Sequence, residues 1–386
     1  MLEEYMKNIG YTDDQIELIL SSYPICNETE TTLLYTIKGF VNFLHRNGLD
    51  NDAIIHMTTI IPNIIMMSIE NIKEKIKELF QFGFNKIEVF QIIKQYPYIL
   101  QMSNQRIDNK YQLLLDMGFN KEDCNEIFVK KPEILNKDAT YIKKRMQFLF
   151  DYGYDPNDLI LIIRDVPELM DMNQVALNHK LDEYKEFGFT KEEVIKITSY
   201  LPELYIYSKE DIENKTKYLT ENGYTTKNII NAIKKLPMLL KHNNLERIED
   251  NIKNLETLGF GMSDIVPITE KNPYILLYSK DMVSDNFKVF IKYLFQNSDV
   301  IRMMKETPLL LTYNSKELDN RLHYYKDRNL LGEIKKNSNY MLYSLEIIQK
   351  REKYIKTKDK KDVFLTDKEF NKKFNTTREE VLRGDK

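Results

Sequence analysis

The sequence predicts an all-α fold, a superhelical solenoid of about nine helical repeats of 35 residues, and leaves open whether the superhelix is right- or left-handed. Prolines recur every 35 residues from Pro62 to Pro237, and glycines recur with the same period from Gly48 to Gly223, each 14 residues before its proline. Two residue types that stay in phase over this length indicate a tandem repeat. Further copies of the pattern are marked by Gly10, Pro24, Gly259, Pro273 and Pro308.

The first half of each repeat is predicted to be an amphipathic helix, here called the A helix. In the repeat around Gly188, the apolar residues Leu177, Leu181 and Tyr184 follow helical spacing. Gly188 is expected to end the helix in the left-handed conformation, which glycine adopts without steric cost. Phe189 is the apolar residue just past that stop.

The second half is predicted to be a shorter B helix that ends at the proline. Thr190 is expected to cap it, with Glu193 completing a capping box. Pro202 ends the helix because it lacks an N–H and clashes with the preceding turn. The equivalent caps in other repeats are Thr12, Asn85, Asn120, Asp155 (before Pro156) and Thr225. A pair of apolar residues follows most prolines, at Ile99-Leu100, Ile134-Leu135, Leu169-Met170, Leu239-Leu240 and Ile275-Leu276.

The C-terminal copies depart from the pattern, as terminal repeats of arrays do. The copy between Phe295 and Pro308 has lost its glycine, and Asn329 is expected to replace glycine as the left-handed stop in the next one. We therefore divide the chain into a repeat array over residues 1–342 and a capping helix with a basic tail over residues 343–386.

Composition narrows the protein class. Cys26 and Cys124, the two cysteines, are too few for a disulfide framework or a zinc site, so we expect inert thiols. The chain has no apolar run long enough to span a membrane, and its N-terminal residues resemble neither a signal peptide nor a transit peptide. We expect a cytoplasmic protein if the source is bacterial, and an organellar one only if a targeting segment precedes the chain.

Charge is distributed unevenly along the chain. The net charge of −3 and the pI of about 6.1 argue against nucleic-acid binding. Residues 1–70, however, hold 3 Lys+Arg against 10 Asp+Glu, whereas residues 316–386 hold 19 against 13. The acidic N-terminal segment is a candidate surface for a protein partner, and the basic C-terminal segment is a candidate contact for nucleic acid.

A basic residue recurs eight positions before the repeat glycine, and we call this set the basic column. Equivalent positions of stacked repeats form a line, and a line of cations suits the phosphates of a duplex. Alternatively, the column borders the apolar stripe, where long basic side chains cover apolar surface or pair with acids of the next repeat. The column comprises Lys75, Lys110, Arg145, Lys180, Lys215 and Arg321, with Phe40 breaking it earlier and Asn251 and Asn286 occupying the position in two later repeats.

A second basic cluster lies near the C-terminus. It is predicted either to hold one end of a duplex or to be a solvated helix face. We include its first two members among the candidate nucleic-acid contacts. The cluster comprises Lys350, Arg351, Lys353, Lys356, Lys358, Lys360 and Lys361.

The sequence contains no pattern typical of an enzyme. The five histidines form no metal-binding pair, and no P-loop, nucleophile elbow or Cys-His arrangement is present. Gly259-Phe260-Gly261 lacks the third glycine of a dinucleotide loop. We therefore expect a protein that is not an enzyme, has no cofactor and binds no metal.

The repeat pattern L-x3-G-[FY]-[TND]…P-x-[IL]-L resembles that of the mitochondrial transcription termination factor (mTERF) family. The segment Leu79-x3-Gly83-Phe84-Asn85…Pro97-Tyr98-Ile99-Leu100 matches it in full. Tyr343-Ser344-Leu345-Glu346 with Lys350-Arg351, and the segment 365–370, are similar to the closing motifs of the family. The resemblance implies a superhelical array that binds nucleic acid on its concave side in organelle gene expression.

Two functions follow as hypotheses. The first is a monomer that binds double-stranded DNA, or RNA, along the concave face through phosphate contacts, in transcription termination, its regulation or related gene expression. The alternative is a protein–protein interaction scaffold with the same solenoid and no nucleic-acid binding. The basic column and the closing motifs favour the first hypothesis, and the acidic N-terminus and near-neutral middle favour the second.

Overall fold

A computed structural model describes residues 1–22, 30–355 and 360–383, and its secondary structure within these ranges is entirely helical. Pro24, Cys26, Lys356 and Lys358 lie outside the described residues. The chain forms two compact units, Met1–Lys180 and Leu181–Lys386, with the division inside one A helix. The predicted all-α helical-repeat fold is confirmed.

The first unit consists of helix pairs in which an A helix, a tight turn and a B helix follow one another. From the second pair onward, a short 3₁₀ helix that starts at the repeat proline ends the repeat. The helices are α1 (Leu2–Ile9), α2 (Asp13–Ser21), α3 (Glu30–Arg46), α4 (Asn51–Ile60), α5 (Ile69–Gln81), α6 (Lys86–Gln95), α7 (Asn104–Asp116), α8 (Lys121–Lys130), α9 (Ala139–Tyr152), α10 (Pro156–Asp165) and α11 (Gln174–Glu186), the last of which continues into the second unit, and the 3₁₀ helices are Pro62–Met66, Pro97–Gln101, Pro132–Asn136 and Pro167–Met170.

The second unit continues the same arrangement. Its helices are α12 (Lys191–Tyr200), α13 (Lys209–Glu221), α14 (Thr226–Lys235), α15 (Leu245–Thr257), α16 (Met262–Lys271), α17 (Lys280–Lys292), α18 (Asn297–Glu306), α19 (Ser315–Asp327), α20 (Leu331–Lys336), α21 (Leu345–Tyr354), α22 (Asp367–Phe374) and α23 (Arg378–Arg383), with 3₁₀ helices Pro202–Tyr205, Pro237–Leu240, His242–Asn244, Pro273–Leu276, Pro308–Thr312, Ser338–Leu342 and Lys360–Phe364. The described residues contain ten A–B pairs, with about nine expected.

The turn between the A and B helices explains the glycine period. All eight glycines of the period have positive φ, as predicted, and Asn329 takes the same conformation with φ 58°. A Cβ added at Gly188 would lie 3.0 Å from Ile230 Cδ1 on α14, the B helix of the next repeat. The close approach of that side chain is a second reason for glycine at this turn. Leu294 occupies this position with φ 65° before α18, in the copy that has lost its glycine.

The proline marks the start of the 3₁₀ helix, two residues after the B helix ends. Leu201, before Pro202, has φ −132° and ψ 80°, outside the helical region, as expected for a residue preceding proline. The apolar pairs after the prolines are buried. All six predicted caps accept hydrogen bonds from the first turn of their B helices. No helix in the described ranges is long and apolar enough to cross a membrane.

Candidate nucleic-acid interface

The basic column lies on the A helices, and most of its side chains are buried. Arg145 and Lys350 are intermediate in exposure. The six candidate contacts that are less than one-tenth exposed are Lys75, Lys110, Lys180, Lys215, Arg321 and Arg351.

Buried column residues donate hydrogen bonds to main-chain carbonyl groups near the next 3₁₀ helix. Lys110 Nζ donates to the carbonyl oxygen of Lys137, just after the 3₁₀ helix that ends the same repeat. Arg321 donates to the carbonyl oxygens of Met341 and Tyr343. Because a 3₁₀ helix leaves its last carbonyl groups without partners, these donors satisfy acceptors that would otherwise be buried unpaired.

The two asparagines that interrupt the column perform the same role. Asn286 Nδ2 lies 3.1, 3.1 and 2.8 Å from the carbonyl oxygens of Leu310, Leu311 and Tyr313. Asn251 Nδ2 contacts two equivalent carbonyl groups at 3.0 and 2.8 Å. The property shared by lysine, arginine and asparagine here is the side-chain N–H donor, and positive charge is not required.

The remaining column contacts are also internal. Lys75 Nζ lies 2.7 Å from Asn104 Oδ1, at the start of the next A helix, and 3.0 Å from Glu78. Lys215 Nζ lies 3.0 Å from the carbonyl oxygen of Asp211. Burial lowers the pKa of both Lys110 and Lys215, since desolvation disfavours the charged amine.

Arg145 differs from the other column members. Its guanidinium carbon lies 4.6 Å from the centre of the Tyr141 ring, and its Nε is buried without a hydrogen-bond partner in the described structure. Tyr141 itself donates to the carbonyl oxygen of Asp171 at 2.9 Å, after the next 3₁₀ helix. A tyrosine thus replaces the column donor in this repeat.

The C-terminal candidates follow the same rule. Arg351 donates to the carbonyl oxygens of Val363 and Leu365, as Arg321 does one repeat earlier, and desolvation lowers its pKa. Lys350 Nζ lies 2.7 Å from the carbonyl oxygen of Leu382. Of the cluster's other described members, Lys353, Lys360 and Lys361 are exposed.

These contacts favour the packing interpretation of the column. Six of the eight candidates are buried, and phosphates reach buried amines only after the repeats separate. Contact of these residues with nucleic acid therefore stays a prediction, and Arg145 and Lys350 are the two candidates with appreciable exposure.

The B helices use many of their cations in contacts between neighbouring repeats. Lys235 Nζ donates to the carbonyl oxygen of Glu270 at 2.7 Å, at the end of the following B helix. Other cations near the ends of B helices pair with acids in the first turn of the preceding B helix, and we call these pairs the B ladder. Its members are Asp123–Arg164, Glu193–Lys234, Asp264–Lys305 and Asp299–Lys335.

An exposed row of basic residues lies on the A helices of the second unit, two positions after the basic column. Its first four members are 36, 35 and 35 residues apart and follow the repeat, and the fifth lies 30 residues further on, in α21. Sequence reasoning missed this row, although the same periodicity search two positions further along would have found it. The exposed row comprises Lys217, Lys253, Lys288, His323 and Lys353.

Three lysines of the exposed row form surface ion pairs within their own helices. The side chains of Lys217, Lys253 and Lys288 are 74%, 65% and 72% exposed, and each lies 3.4–4.0 Å from an acid three or four residues away. Such pairs contribute about 0.3–0.5 kcal/mol, so a phosphate can displace the acid at little cost. The helices that carry Lys253, Lys288 and His323 contact one another in order, since α15 packs on α17 and α17 packs on α19.

The described residues lack a cluster of metal ligands. They contain no group of three or more His, Cys, Asp or Glu side chains that could hold a metal ion. Cys124 is buried, and desolvation raises the pKa of its thiol to about 12, so the reactive thiolate is not formed near neutral pH.

Comparison with known proteins gives one finding on family. The family model described as mTERF matches residues 3–230 and 207–370, which together span most of the chain. No curated protein matches the chain.

Proposed function

The chain belongs to the mTERF family, and we propose that it is a nucleic-acid-binding repeat protein without catalytic activity. Its ligand is double-stranded DNA or RNA, and its role lies in transcription termination or its regulation. The phosphate contacts come chiefly from the exposed row of the second unit rather than from the buried basic column.

The single observation that carries this proposal is the exposed row. Phosphate binding is largely electrostatic and requires cations that solvent can reach. Helices packed side by side lie about 8–10 Å apart, so repeat-spaced lysines present charges at regular intervals along the phosphate backbone. The basic C-terminal segment adds positive charge at the end of this row.

The test is a fluorescence anisotropy titration with a duplex DNA, a duplex RNA and a single-stranded RNA of equal length. Affinity is measured between about 50 and 200 mM salt, where a protein with several phosphate contacts shows a steep dependence. In the variant Lys253→Gln/Lys288→Gln/Lys353→Gln, we expect the slope of log K against log salt to fall by about 0.9 for each lost duplex contact.

A matched control removes the same charge from exposed positions on B helices of the same unit, with Lys196→Gln/Lys227→Gln/Lys271→Gln. We expect this variant to keep the wild-type slope. Equal slopes for the two triple variants would show that the row does not contact phosphate. Absence of binding to all three nucleic acids at about 50 mM salt would rule out the proposed function.

A further inference from the structure

The first unit carries an exposed apolar row that its own packing does not explain. Phe80, Leu115 and Phe150 are 43%, 40% and 50% exposed. They lie 35 residues apart at the same position of α5, α7 and α9. Three large apolar side chains at one repeat position form a continuous feature, unlike scattered surface leucines.

The three repeats that carry the apolar row contact one another in order. Lys75 of α5 binds Asn104 of α7, and the ring of Phe82, just after α5, stacks on Tyr111 of α7 with centroids 5.2 Å apart. Lys110 of α7 reaches the segment before α9. Phe80, Leu115 and Phe150 therefore lie at equivalent positions on the A helices of three consecutive repeats.

A groove of about 320 Å³ adjoins the row at Phe150. Met117 and Met146 line it from the end of α7 and from α9, and both are partly exposed. Methionine side chains adapt to irregular apolar partners. The remaining lining residues are Lys143, Gln147, Pro156 and Leu159.

The second unit does not continue the row. Its A helices have Thr220, Glu256 and Lys326 at the equivalent position, with Ile291 as an apolar member. Core packing of the repeat therefore does not require an apolar residue there. The apolar row is a property of the first unit.

The row has an acidic border on the side of the A–B turns. Asp116 directly follows Leu115, and Asp151 directly follows Phe150. Each of these carboxylates accepts a hydrogen bond from a glutamine four residues earlier, at 2.6 and 2.7 Å. Both carboxylates are exposed. A ligand that covers the apolar row would meet these charges at its edge.

We infer that the apolar row of the first unit is a docking surface for a basic amphipathic helix of a partner protein. Residues seven apart on an α-helix lie about 10.5 Å apart, and packed helices lie about 8–10 Å apart. A partner helix that crosses α5, α7 and α9 thus places one apolar residue per heptad beside each row member. Lysine or arginine along its edge meets Asp116 and Asp151.

The test uses two synthetic amphipathic peptides of about three heptads, with leucine at the a and d positions and either lysine or glutamate at the flanking e and g positions. Binding to the full chain is measured by anisotropy. We expect the lysine peptide to bind at least about tenfold more tightly than the glutamate peptide. In Phe80→Ser/Leu115→Ser/Phe150→Ser, its affinity should fall by at least about tenfold, as for loss of central interface anchors.

The control variant Ile87→Ser/Tyr98→Ser/Leu161→Ser removes three exposed apolar residues of the same unit that lie outside the row. We expect wild-type affinity for the lysine peptide. Circular dichroism melting verifies that both triple variants are folded. If the variant of the apolar row is unfolded, the single variant Phe150→Ser replaces it.

Equal affinity for the two peptides, or unchanged affinity in the row variants, would overturn the inference. Loss of single-stranded DNA binding in the row variants, with no peptide binding, would instead assign the row to base stacking. The inference is independent of the proposed function, because the two sets of variants lie in different units.

Discussion

At the residue scale, the main result concerns what the basic column does. Lys110, Asn286 and Arg321 differ in charge and length, yet each donates to carbonyl groups near the 3₁₀ helix that ends its own repeat. Buried carbonyl groups without a donor are costly, so the position selects side chains that carry N–H groups. Periodicity located the column, but the use of its donors depends on how the A helix packs against the 3₁₀ helix.

Asn286 offers a direct test of this role. In Asn286→Asp, three buried carbonyl groups lose their donor and face a carboxylate, so we expect the free energy of unfolding to fall by about 3 kcal/mol or more. Asn286→Leu removes the donor without adding charge and should cost less. Urea denaturation followed by circular dichroism measures both effects.

The control for this substitution is Asn320→Asp on α19, where the side chain is exposed. It introduces the same chemical change and should alter the stability by less than about 0.5 kcal/mol. Similar losses of stability for Asn286→Asp and Asn320→Asp would contradict the role assigned to the column.

At the element scale, neighbouring B helices are linked through their ends. Glu193 caps the start of α12 through Thr190 and also pairs with Lys234 near the end of α14. Between α14 and α16 the acid lies on the later helix instead of the earlier one. Asn228 and Asn231 of α14 donate to Glu270 of α16 at 2.6 and 2.8 Å. These contacts link α12 to α14 and α14 to α16.

This linkage predicts a pH dependence. The hydrogen bond from Lys234 lowers the pKa of Glu193 below its ordinary value of 4.5. The unfolded chain therefore binds the proton more readily, so the stabilisation is present above about pH 4.5 and is lost as the pH falls through the folded-state pKa. Between about pH 6 and pH 3, Glu193→Gln should show a smaller drop in melting temperature than the wild type.

The comparison for that experiment is Glu210→Gln, an exposed acid of α13 outside the B ladder. Its melting temperature should follow the wild-type pH profile. If Glu193→Gln and Glu210→Gln gave the same profile, the ladder pair would have no part in the acid sensitivity.

At the scale of the whole molecule, charge is distributed unevenly between the two ends of the chain. Residues 1–70 carry a net charge of −7 (3 − 10) and residues 316–386 a net charge of +6 (19 − 13). Nucleic acid is repelled by the first segment and attracted by the second. The net charge of −3 by itself argues against nucleic-acid binding. Because the positive charge is concentrated in residues 316–386, the chain nevertheless presents a basic segment to nucleic acid.

Lysine reactivity measures this polarity directly. Bound duplex should protect Lys253, Lys288 and Lys353 from acetylation by several-fold, since phosphate contact blocks the amines, and should leave Lys7 and Lys38 as reactive as in the free protein. Mass spectrometry quantifies each site. Protection of Lys7 and Lys38 with full reactivity of the exposed row would place the ligand on the opposite part of the chain.

The sequence by itself determined the repeat fold. Gly188 has to adopt positive φ, Thr190 has to cap a helix start and Pro202 cannot continue a helix, and each of these constraints acts within a few residues. Repeating them every 35 residues therefore predicts the elements and their order. The same local logic identified Asn329 as a left-handed stop.

Only the tertiary structure decided which cations are available to a ligand. Lys215 and Lys217 are two residues apart on α13, yet the first is buried against its own helix turn and the second is 74% exposed. Helical periodicity places both near the border of the apolar stripe, and only the packed structure shows that one of them is buried. Burial depends on contacts across the repeat boundary, whereas the local constraints that shape each helix do not include the neighbour that packs on it.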